Sequence, residues 1–165
     1  MKRIDVRVKK LDEDAIIPTY ESQAAAGFDL YALEDVVIRP GETKLVRSGL
    51  AFEIPEGYEM QVRPRSGLSK KTKLRISNSP GTIDADYRGE VGILLDNLHS
   101  SEASSVYNTS GKVIEGLHDK GSYVIAKHDR IAQGVLQEVP QANFIEADDL
   151  SSTSRGSGGF GSTGQ

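Results

Sequence analysis

The chain has 165 residues, with 20 Lys and Arg against 24 Asp and Glu, 17 Gly, 6 Pro and neither Cys nor Trp. That length suits one domain with its own core, and the lack of Cys excludes a disulfide framework, a thiolate zinc site, an iron–sulfur cluster and a cysteine nucleophile. A net charge of −4 argues against a long nucleic acid as partner, no apolar run reaches the length of a membrane span, and the N-terminus lacks an apolar segment of signal-peptide length.

Along the chain the dominant hydrophobic period is two. Ile4, Val6 and Val8 alternate with charged residues, followed by Val36 and Ile38, then Tyr58, Met60 and Val62. Val91, Ile93 and Leu95 repeat the pattern, as do Ile131, Val135 and Val139 with a slip near Gly134. Such alternation predicts short, half-buried strands. Pro40-Gly41, Pro55-Glu56-Gly57, Ser79-Pro80-Gly81 and Arg88-Gly89 punctuate them as turns. The spacing predicts an all-β sandwich, jelly roll or barrel. One short helix is expected within 65–72, with Ser66 as its cap. The polar stretch 98–122 reads as a loop or an extra hairpin turning at Ser110-Gly111, and 151–165, with five Ser and five Gly, as a flexible tail.

Five segments carry residue types suited to chemistry. In Ala26-Gly27-Phe28-Asp29-Leu30, Asp29 either caps a turn at a strand entry or stands near a metal ion. Arg63-Pro64-Arg65-Ser66-Gly67-Leu68-Ser69 opens a stretch, 63–75, with six basic residues and no acidic one. Arg-Ser-Gly at a strand-to-helix turn offers guanidinium, hydroxyl and backbone N–H to a phosphate. Asn78-Ser79-Pro80-Gly81-Thr82-Ile83-Asp84-Ala85-Asp86-Tyr87-Arg88-Gly89 reads as a hairpin in which Asp84 or Asp86 could serve as a general base toward water. Asp129-Arg130-Ile131-Ala132-Gln133 ends a loop and opens a strand. The tail Arg155-Gly156-Ser157-Gly158-Gly159-Phe160-Gly161-Ser162-Thr163-Gly164 adds a forked cation, a flat ring and hydroxyls to a Gly-rich backbone, as a nucleotide lid would. His99, His118 and His128 match no metal spacing and read as solvated loop residues, and Tyr58 and Met60 as strand packing.

In this order and spacing the five segments resemble the motifs of the trimeric dUTPase family. The resemblance implies a β jelly roll (dUTPase-like β-clip) over 1–150, with 151–165 as a flexible C-terminal lid. It implies hydrolysis of dUTP to dUMP and pyrophosphate by magnesium-assisted water attack on the α-phosphate. That reaction would limit uracil in DNA and supply dUMP for dTTP synthesis. It further implies a homotrimer with active sites shared between chains, and cytoplasmic work without a membrane or a stable nucleic-acid partner. Position by position, Asp84 matches the residue that activates the water, and Tyr87 the ring that excludes a ribose 2′-hydroxyl. Asn78, Gly81, Thr82 and Ile83 match the uracil pocket, and Arg65, Ser66 and Gly67 the phosphate turn. Asp29 and Gln133 match groups that hold magnesium through water, Gln133 also touching phosphate. Arg155, Phe160, Gly161, Ser162 and Thr163 match the lid over phosphate and base. Two departures stand out. His128 precedes Asp-Arg where the family often has Gly, and 98–122 is longer than the usual connection. Some phage dUTPases carry an insertion there, and some of those bind a repressor. The length is compatible with a phage or prophage type, and 98–122 reads either as surface decoration or, as a second reading, as the seat of a regulatory protein partner.

Overall fold

Alternation along each strand decides which residues pack inward, and the strands collect into a β jelly roll as predicted. The computed structural model describes residues 3–100, 105–116 and 118–159. Its central sheet is antiparallel and holds β2 (Phe28–Tyr31), β13 (Arg130–Glu138), β6 (Tyr58–Arg63) and β8 (Gly81–Ile83), in that spatial order. A second sheet orders β4 (Thr43–Arg47), β9 (Gly92–Asn97) and β7 (Leu74–Ile76). A third orders β11 (Val113–Ile114), β10 (Val106–Asn108), β12 (Tyr123–Ile125) and β3 (Val36–Ile38). β1 (Arg7–Lys10) pairs with β5 (Leu50–Glu53).

Between the sheets lie Leu30, Ile38, Val46, Leu50, Met60, Leu74, Ile93, Leu95, Ile125 and Ile131, all fully buried. The inward residues of β6, Met60 and Val62, and of β9, Ile93 and Leu95, are those the alternation selects. Asn97 is buried among them without penalty, because its Nδ2 donates to Ile38 O at 2.9 Å and to Gly121 O at 2.8 Å. It thereby ties two sheets together.

Three local features differ from expectation, while His128 stays an exposed turn residue as expected. The slip in β13 lies between Arg130 and Ala132, not at Gly134. Gly134 instead receives the Phe28 ring, and a Cβ there would fall 2.4 Å from it. The helix α1 (Ser66–Lys71) has Arg65, not Ser66, at its N-cap, and no side chain caps it. His99 is not simply solvated. Its ring stacks on Tyr107 and Tyr123 at centroid distances of 5.0 and 5.4 Å, and its Nε2 lies 3.1 Å from the Tyr123 hydroxyl. His128 adopts the left-handed conformation at φ 68°, with its Nε2 2.9 Å from Asp14 O, which accounts for Gly serving at that position.

Within 98–122, β10 and β11 form an antiparallel hairpin whose turn contains Gly111 at φ 72°. Asn108 Oδ1 accepts from the N–H groups of Ser110 and Lys112, both at 3.0 Å. The short Asn side chain thus holds the turn that Gly111 makes sterically accessible.

The Phe28 seat has a measurable consequence. Gly134→Val drives a branched side chain into a filled site, which costs about 1–3 kcal/mol. Calorimetric Tm should fall by roughly 3–10 °C. An unchanged Tm would show that the seat can yield.

Candidate active site

The central sheet brings together segments that lie far apart in the sequence. Asp29 on β2 stands opposite Gln133 on β13, and Gln133 stands opposite Arg63 on β6. Residues directly opposite each other share a face. Asp29 is only 7% exposed, and its carboxylate is answered by two arginines. Arg65 Nε donates to Oδ1 at 2.6 Å, and Arg130 Nη1 donates to Oδ2 at 3.2 Å. Arg65 also donates from Nη1 to Arg130 O at 3.2 Å. Gln133 Nε2 donates to Pro64 O at 2.8 Å. Its Oε1 lies where a Cβ on residue 27 would come within 2.6 Å, so Gly27 keeps room for the amide.

Beside this cluster, the start of α1 presents Ser66 and Gly67 to solvent. Its first N–H groups have no side-chain cap, so they remain available to an anion. A cavity of about 290 Å³ lies here, lined by Arg65, Gly67, Lys71, Thr109, Asp129 and Arg130 among others. Arg65, Lys71 and Arg130 bring cationic donors suited to an oxyanion, their charge partly offset by Asp129 in the lining and by Asp29 and Glu21 paired to the arginines.

The 78–89 segment builds a different surface. β8 is the edge strand of the central sheet, so the outer row of its backbone N–H and C=O groups faces away from β6. The Asn78 amide lies against Gly81, 3.3 Å from where a Cβ would sit. Tyr87 packs over Gly89, and its hydroxyl donates to Glu90 O at 3.0 Å, leaving the ring fixed yet 44% exposed. Asp84 and Asp86 are both exposed and line a second, open cavity of about 780 Å³ with Tyr58, Glu59, Arg88 and Gln141.

The cavity at Asp84 and the cavity at Arg65 lie toward opposite ends of β6 within one chain. β8 runs antiparallel to β6, with Gly81 opposite Val62 and Ile83 opposite Met60. Asp84 therefore follows toward the Tyr58 end of β6, whereas Arg65 lies beyond the Arg63 end. Five residue spacings at about 3.3 Å separate those ends by roughly 17 Å. One cluster holds Asp29, Arg65, Ser66, Gly67 and Gln133; the edge-strand segment runs from Asn78 and Gly81, beside the Arg63 end of β6, through Thr82 and Ile83 to Asp84 and Tyr87 beyond Met60. Arg155 is exposed, with Nε donating to Gly158 O at 2.8 Å in a local turn. Phe160, Gly161, Ser162 and Thr163 lie outside the described residues. Arg130 was visible in the fourth motif but had no assigned role, and the pairing with Asp29 supplies one. Thr109 carried no signal in the sequence, because its proximity to the cavity depends on how the hairpin docks.

No group of three or more His, Cys, Asp or Glu that could cage a metal occurs among the described residues. Water-mediated holding is a different demand. A carboxylate offers about four acceptor positions. Guanidinium N–H groups of Arg65 and Arg130 approach Asp29 three times, at 2.6, 3.4 and 3.2 Å, leaving room for a water. With the Gln133 amide on the same face, this donor set fits a hydrated magnesium ion shared with phosphates.

A family model for dUTPase matches residues 13–164. The chain belongs to the dUTPase family. A deoxyuridine 5′-triphosphate nucleotidohydrolase of Nautilia profundicola is 51% identical over 160 residues, covering 97% of this chain and 99% of that relative. Among solved structures, Staphylococcus bacteriophage 80alpha dUTPase with dUpNHpp superposes with a TM-score of 0.90 at 34% identity, covering 98% of this chain and 99% of that one. A mutant dUTPase from phage phi11 of S. aureus, described as revealing the coordination of a structural Mg(II) ion, gives a TM-score of 0.82 at 30% identity, covering 89% and 99% of the two chains. As a dUTPase the chain is a nucleotide hydrolase, a dUTP diphosphatase with the all-β fold of these neighbours. The first four motif segments lie on and around the central sheet, with Asp84 and Arg65 toward opposite ends of β6.

Proposed function

We propose that the chain hydrolyses dUTP to dUMP and pyrophosphate at sites shared between copies in a homotrimer. The observation that carries this is the roughly 17 Å between the Asp84 and Arg65 ends of β6. A single triphosphate reaches both only if the two ends come from different copies, as closed symmetric assembly allows. Support comes from the segment after β13, where Phe144, Ile145 and Leu150 are 94%, 81% and 91% exposed. Apolar side chains of this size in one stretch suit a seat on a neighbouring copy.

In this reading the outer backbone of β8, with Asn78 at its mouth, pairs with the uracil edge. Tyr87, fixed over Gly89, lies under the deoxyribose and leaves no room for a 2′-hydroxyl. Arg65, Ser66 and Gly67 hold the phosphates. Asp84 accepts a proton from water as the water oxygen bonds to the α-phosphorus. The bond from that phosphorus to the bridging oxygen breaks, and pyrophosphate leaves. Positioning and charge neutralisation do most of this work. Asp29 and Gln133 would hold waters of a magnesium ion, which supplies charge neutralisation along the phosphates when bound. Residues 151–165 act as a lid, with Arg155, Ser162 and Thr163 on phosphate and Phe160-Gly161 over the base. The site would work in the cytoplasm; no helix among the described residues is long and apolar enough to cross a membrane. A regulatory protein partner at 98–122 is the second reading, supported by the likeness to Staphylococcus bacteriophage 80alpha dUTPase, described as controlling transfer of virulence genes.

The test is pyrophosphate release from dUTP, UTP, dTTP and dCTP, with and without magnesium. We expect dUTP to be preferred by at least about a hundredfold, and only with magnesium present. Comparable turnover of UTP or dTTP would overturn the assignment of β8 and Tyr87.

A further inference from the structure

The β10–β11 hairpin lies outside the five motif segments, yet its turn reaches the phosphate half-site. Thr109 and Ser110 line the 290 Å³ cavity together with Arg65, Gly67, Lys71 and Arg130. Thr109 Oγ1 donates to Asp129 Oδ2 at 2.7 Å. The same oxygen accepts the Ala126 N–H at 2.9 Å. Asp129 immediately precedes Arg130, whose guanidinium pairs with Asp29 and whose carbonyl accepts from Arg65. The turn is closely seated, since a Cβ on Gly111 would fall 2.2 Å from Lys71 O.

Among the described residues Asp129 is the one acidic side chain lining that cavity. A carboxylate free to swing would compete with an incoming anion for the cations around it. Two donors on one oxygen hold it to its own turn instead.

We propose that Thr109 is a positioning residue for triphosphate binding: its hydroxyl pins Asp129, and with it the turn bearing Arg130, so that the basic wall of the cavity faces the phosphates. This rests on the reading of that cavity as the phosphate half-site. The hairpin is thereby a working wall of the site rather than surface decoration.

Steady-state kinetics on dUTP with the full chain tests it. Thr109→Val, which keeps the shape and removes the hydroxyl, should raise KM roughly three- to tenfold with kcat within about twofold. Thr109→Ser should restore KM. A fold-only role would lower Tm without this split or rescue. Arg65→Gln is measured beside them as a probe of the cavity itself. If Arg65→Gln raises KM and Thr109→Val does not, the inference falls and the cavity assignment stands. Should both leave KM unchanged, the cavity is not the phosphate half-site and both fall. A KM rise in the Val variant that Ser fails to rescue also overturns the role of the hydroxyl. Thr109→Ala takes the place of Val if the latter does not fold.

Discussion

Asp84→Asn should lose turnover by roughly 10²- to 10⁴-fold while binding dUTP with nearly the parent Kd. Asn keeps the size and the hydrogen-bonding reach of Asp but cannot accept a proton from water at neutral pH. The fold should not suffer. Asp84 is exposed at the end of β8, and among the described residues its carboxylate makes no ion pair, its backbone carbonyl alone accepting from Tyr87 N–H at 3.2 Å. Single-turnover measurement of dUMP formation, with dUTP binding followed by calorimetry, separates chemistry from affinity. A variant retaining more than about a tenth of parental turnover would remove Asp84 as the base. Asp86→Asn is the control. Both carboxylates line the same open cavity, so geometry within one chain does not choose between them. The family resemblance does, and it predicts that Asp86→Asn stays within about threefold of the parent.

The second large effect concerns two dead chains that become active when mixed. In the proposed mechanism Asp84→Asn removes the base and Arg65→Ala removes a phosphate cation, so each pure variant should be nearly inactive. If Asp84 and Arg65 of one site come from different copies, co-refolding equal amounts rebuilds intact sites. A site is intact when one contributor carries Asp84 and the other carries Arg65. Random assembly makes that about one site in four, so roughly a quarter of parental activity should return. Were both residues to serve a site within one chain, mixing would restore nothing. That result would defeat the shared site whatever the oligomeric state. Because Arg65 also pairs with the buried carboxylate of Asp29, the Arg65→Ala chain should be checked for folding by its Tm.

Much of the architecture was legible beforehand, for a local reason. The period of two along Tyr58–Arg63 and Gly92–Asn97 is a property of extended backbone, and it selects Met60, Val62, Ile93 and Leu95 as inward residues wherever the strands end up. The short helix and the hairpin within 98–122 followed from similar local signals. Errors arose where a local reading met a distant partner. His99 reads as a loop histidine, but it clusters with Tyr107 and Tyr123, which are 8 and 24 residues away. Ser66 looked like a cap, but the chain leaves β6 in an extended conformation through Arg65, whose side chain is drawn across to Asp29.

By itself, then, the sequence determined the all-β class, the strand faces and the five segments that mark the family, because each depends on residue types within a few positions of one another. Only the tertiary structure decided that Asp29, Gln133 and the Arg63–Arg65 turn share one face of the central sheet, since register between strands separated by tens of residues is settled by pairing and burial. It also decided that Asp84 lies at the far end of β6 from Arg65, and that the turn at Thr109 lines the cavity beside Arg65. Alternation places a side chain on a face, but the antiparallel pairing of β6 with β8 sets which end of that face it reaches.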